Sequence, residues 1–91
     1  MTNDRAQGVL EALDALEAAG YRMGDAWERA HELAQSKEGE PLYDRLHALC
    51  HRIEGDLSNA RYWYGRAGVS PASGDFAEEA RSIRADAAGQ S

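Results

Sequence analysis

Three histidines and one glutamate are the side chains here whose types and spacing could do chemistry. His47 and His51 stand four apart and Glu54 three further on, so on a helix they fall within about 60° of one another around the axis. Imidazoles at i and i+4 can both reach one metal ion, and a carboxylate one turn on completes a three-ligand set with an open position. His31 lies four residues after Trp27 and supplies a further ligand if the helices carrying the two segments pack together. A divalent metal such as zinc would suit His31, His47, His51 and Glu54, and the matching activity would be metal-dependent hydrolysis. The same residues also read as packing, with His47 a satisfied histidine at the edge of an apolar stripe and His51 paired with Glu54 at the surface.

The second feature is Tyr62-Trp63-Tyr64. Three consecutive helical residues span about 200°, so they cannot all enter one core face. Tyr64 goes inward with Ala60, Trp63 lies on the flank, and Tyr62 faces another helix, a partner or solvent. Trp27, Arg52, Tyr62, Trp63 and Arg66 could together form a groove for a protein, a peptide or a small anion, because aromatics and arginine make good anchors. Conventional catalysis has no support. There is no nucleophile elbow, the glycines form no phosphate-cradling loop, and Cys50 falls on an apolar stripe as a core residue.

Charge narrows the partners. The 91 residues carry 16 acidic against 10 basic side chains, a net charge of −6, with a pI near 4.9. Attraction to nucleic acid or to an anionic membrane rests on Lys and Arg, so neither is an expected partner. Only the segment 41–68 is slightly basic, through Arg45, Arg52, Arg61 and Arg66. No apolar run reaches the roughly 18 residues of a membrane span, and Met1-Thr2-Asn3-Asp4-Arg5 lacks a secretory pattern. The expectation is a cytoplasmic protein.

The composition, 43% apolar and 29% charged, is that of a folded domain rather than a disordered tail. Val and Ile are few and never alternate, while apolar residues recur at helical steps. Ala6, Val9, Leu10, Leu13 and Leu16 mark a helix over 4–19 that opens on an Asp4/Gln7 capping pair and stops at Gly20. Trp27, Ala30 and Ala34 mark a second over 25–36, with Asp25/Glu28 as its capping pair. Pro41 starts a third over 41–54, striped by Leu42, Leu46, Leu49 and Ile53. Gly55-Asp56 stops that helix and caps a fourth over 56–67, with Leu57, Ala60, Tyr64 and Ala67 inward. A fifth covers 75–88, capped by Asp75 and striped by Phe76, Ala80, Ile83 and Ala87. The fold class is all-α, a single domain of about five short antiparallel helices arranged as helix hairpins or a compact bundle.

Gly55, Ala60, Tyr64, Ala67 and Pro71 follow one another much as the small and aromatic positions of a helical hairpin repeat do, and this segment resembles a tetratricopeptide repeat. That resemblance implies stacked helix hairpins and binding to a protein or peptide. The string from His51 through Glu54-Gly55-Asp56, Asn59-Ala60 and Tyr62-Trp63-Tyr64 to Arg66-Ala67-Gly68 also resembles a segment of small uncharacterised bacterial proteins, which implies no activity. Two units fall short of the three or so that bury a continuous core, so either terminal helices act as caps or a helix face forms a homodimer. The leading expectation is thus a non-enzymatic binding module without cofactor. The alternative is a small metal-binding protein or metal-dependent hydrolase.

Overall fold

The computed structural model describes residues 4–89, with side chains from Ala6 onward. Its helices are α1 (Asp4–Ala18), α2 (Asp25–Ser36), α3 (Pro41–Glu54), α4 (Leu57–Ala67) and α5 (Phe76–Gly89), and no strand occurs among the described residues. The Asp4 side chain of the expected first capping pair lies outside the described residues.

Most helix ends have a local cause. Pro41 is the first residue of α3, where its missing N–H costs nothing. Gly55 ends α3 in the left-handed conformation at φ 90°, and the N–H of Asp56 then reaches back to the His51 carbonyl at 2.9 Å. The Asp56 carboxylate in turn accepts from the Asn59 N–H at 3.2 Å, capping α4, and Asp75 does the same for Glu78 at 2.8 Å. The second capping pair does not form. Gly24, at φ 150°, is the N-cap of α2, and no side chain caps it. Asp25 is therefore already inside the first turn, where it and Glu28 act on the positive end of the helix dipole.

The helix α3 is the centre of the molecule, in contact with α1, α2, α4 and α5. Its residues 42–50 are all buried except the half-buried Arg45, as expected for a helix packed on every side. The helices α1 to α4 pack in sequence, each on the next, whereas α5 returns to lie on α3 and α1. Consecutive helices α4 and α5 are therefore not backbone neighbours. The connector 68–75, longer than a tight turn, lets α5 cross back to the α1 side, where Ala80, Ile83 and Ala87 join Val9, Leu13 and Leu16 in the main core. A smaller cluster of Ala48, Ala60, Trp63 and Tyr64 sits between α3 and α4.

The buried stripe of α4 differs from expectation. Trp63 is buried beside Ala60 and Tyr64, and Leu57, expected inward, is 55% exposed. Three residues on, Ala60 leaves room for the large indole to pack on α3, and that contact sets the helix phase. Leu57 is in the first turn, with Arg61 one turn further along the outward face. None of the described helices is long and apolar enough to cross a membrane.

Candidate metal centre

The three histidines meet where α2 crosses α3. One donor nitrogen from each of His31, His47 and His51 lies within 4.8 Å of the others. The ring centroids are 4.8 Å apart for His31 and His47, 5.1 Å for His31 and His51, and 5.0 Å for His47 and His51. The spacing of four along α3 puts His47 and His51 on one face, and the packing of α2 on α3 brings His31 against both.

Two tryptophans fix the rings. Trp27, one turn before His31 on α2, stacks on it at 4.8 Å and 10°, and its indole N–H donates to the Cys50 carbonyl at 2.7 Å. Trp63 of α4 stacks on His47 at 3.9 Å and 14°. Trp27 belongs to the main core and Trp63 to the smaller cluster, so the histidines occupy the seam between the two.

Hydrogen bonding separates the roles of the nitrogens. His51 Nδ1 contacts Glu54 Oε1 at 2.7 Å. A carboxylate only accepts, so Nδ1 is the donor of this pair. Glu54 is thus the outer partner of a ring whose other nitrogen is free to ligate, the arrangement seen behind metal-bound histidines. The His31 Nε2 and His47 Nδ1 atoms are buried with no hydrogen-bond partner among the described residues. His47 is 2% exposed, buried rather than at the edge of the stripe. His51, only 6% exposed, makes its Glu54 contact from a buried position rather than at the surface.

Burial, reinforced by the facing His31 and His51, pulls the His47 imidazole down to about 4. His31 is also lowered, by burial and by His51, against smaller opposing effects from Glu54 and Glu32. Both rings are neutral at pH 7 and keep the lone pairs a metal needs. Glu54 and Asp56 also form a donor group with His51, but Glu54 is engaged by the His51 ring and Asp56 by the cap of α4.

The residues expected to bind a partner are distributed differently. Trp27 and Trp63 are buried against the histidines. Arg52 is held by Glu79 Oε1 and by the Gly74 carbonyl, each at 2.6 Å. Tyr62, 54% exposed, and Arg66 remain on the surface, where the guanidinium donates to the Tyr62 hydroxyl at 3.1 Å. Cys50 is fully buried, which pushes its thiol up to about 12, so it is no nucleophile.

Sequence reasoning missed a buried polar network around Glu79. That carboxylate accepts from Arg52 on one oxygen and from the Tyr64 hydroxyl, at 2.6 Å, on the other. The signal was available, because position 79 is three residues after Phe76 and four before Ile83, on the apolar stripe itself. An acid at such a position must be paired.

No protein-family model matches this chain, and no curated protein or solved structure matches it.

Proposed function

We propose that this protein binds a divalent first-row transition metal, zinc foremost, through His31, His47 and His51. The observation that carries the reading is the convergence of one donor nitrogen from each of the three rings within 4.8 Å, together with two buried ring nitrogens, His31 Nε2 and His47 Nδ1, that have no partner among the described residues, and a His51 ring held by Glu54. Each orphaned buried polar atom costs about 1–3 kcal/mol, and each calls for an explanation, of which a bound ion is one. One ion answers both. Tetrahedral zinc at about 2.0–2.1 Å from each nitrogen spaces its ligands about 3.3 Å apart, against present separations of up to 4.8 Å, so the rings draw together on binding.

The donor set selects the ion. Three neutral imidazoles suit zinc, copper, nickel or iron, whereas calcium and magnesium prefer oxygen. Three nitrogen ligands leave a fourth position for water, which is where a hydrolytic activity would reside. On this reading Glu54 is not a ligand but positions His51.

The test is metal content per chain by elemental mass spectrometry after equilibration with zinc and gel filtration. The expected result is one equivalent for the native sequence and none for a His31→Ala, His47→Ala, His51→Ala variant. Glu54→Gln should keep one equivalent and weaken affinity about 10- to 100-fold. With zinc at about 100 times its Kd, the native protein gains roughly 2.7 kcal/mol. Native protein that retains no more zinc than the triple variant would overturn the reading.

A second reading, protein or peptide binding, has one specific observation in its favour. The outward face of α4 carries Leu57, Arg61, Tyr62 and Arg66, and no acidic residue lies on that helix. In a chain of net charge −6 this face suits an acidic segment with apolar anchors.

A further inference from the structure

A groove of about 360 Å³ runs between α1 and α2, on a side of the molecule that the histidines do not use. Each helix contributes one stripe to it, at i, i+3, i+4 and i+7. From α1 come Gly8, Glu11, Ala12 and Ala15, and from α2 come Ala26, Arg29, Ala30 and Leu33. These positions of α2 lie on a different face from Trp27 and His31.

The floor is apolar and the two rims carry opposite charges. Glu11 stands on the α1 rim and Arg29 on the α2 rim, both exposed. They form no ion pair with each other. Among the described residues Glu11 receives only the Gln7 amide, at 2.9 Å, and no acidic residue pairs with Arg29. A two-fold axis running along the groove would place α1 of one copy over α2 of the other. Glu11 then meets the other copy's Arg29, and Arg29 meets its Glu11. An isologous interface requires this self-complementarity.

Backbone proximity is possible there because the side chains are small. The Ala side chains would let two helix pairs stack closely as a four-helix layer.

We infer that the α1/α2 groove is the contact face of a homodimer, in which two reciprocal Glu11–Arg29 pairs flank an apolar centre. The inference does not depend on metal binding.

The test is sedimentation equilibrium of the native chain and of charge variants, each first checked for helical content by circular dichroism. The native protein is expected to pass from monomer to dimer as concentration rises toward about 1 mM, a weak association on the affinity scale. Arg29→Glu should weaken the dimer at least about tenfold, because like charges then face each other twice. The double variant Glu11→Arg, Arg29→Glu should regain most of the native affinity, since swapping both signs restores the pairing. Two results would overturn the inference: a native chain that stays monomeric over the whole range, or a dimer that is indifferent to Arg29→Glu.

Discussion

Glu79→Ala is expected to remove about 3–5 kcal/mol of folding stability, the typical cost of breaking one side of a buried ion pair. The Glu79 side chain is 1% exposed and takes the Arg52 guanidinium and the Tyr64 hydroxyl at 2.6 Å each. It joins α3, α4 and α5 at one point. Because α4 makes its backbone contacts with α3 alone, the Tyr64–Glu79 bond is also the link from α4 to α5. Truncation would leave a buried hydroxyl without an acceptor and a guanidinium, 12% exposed, without its counter-charge. For 91 residues at roughly 0.05–0.15 kcal/mol each, total stability is about 5–14 kcal/mol, so the variant loses a large share of it. Urea denaturation should show a much lower midpoint, with a Tm fall of more than about 12 °C. Tyr64→Phe, which removes one hydrogen bond and keeps the ion pair, should cost only about 1–2 kcal/mol. Equal losses in the two variants would mean that the ion pair adds nothing.

Mild acid is the second large perturbation. His47 is 2% exposed and its pKa is lowered from 6.5 to about 4 by burial and by the neighbouring histidines. Between those two values the unfolded chain holds a proton on this ring that the folded chain does not, so stability rises with pH. The stabilisation is complete above about pH 6.5, is lost progressively as pH falls toward 4, and amounts to roughly 3 kcal/mol. His31 is shifted the same way and steepens the loss. Urea midpoints measured from pH 7 to pH 4 should fall for the native protein and fall less for His47→Asn. Carboxylate titration is common to both, so their difference isolates the ring. Protons and zinc compete for the same nitrogens, so zinc stabilisation should fade over this window too.

What the sequence determined by itself was mostly local. Helix periods and end signals such as Pro41, Gly55, Asp56 and Asp75 are read within one or two turns, because capping and φ preferences act between near neighbours. The pairing of His51 with Glu54 is of the same kind, at a separation of three. Leu57 and Trp63 were misread because a helix carries two plausible faces and only its packing partner chooses between them. Tertiary structure alone decided which features act together. The return of α5 onto α1, the placing of His31 over His47 and His51, and the convergence of Arg52, Tyr64 and Glu79 join residues at least 15 apart in sequence. Such contacts leave no period in the chain. They depend on which apolar faces bury each other, and that is settled by the whole core rather than by any segment of it.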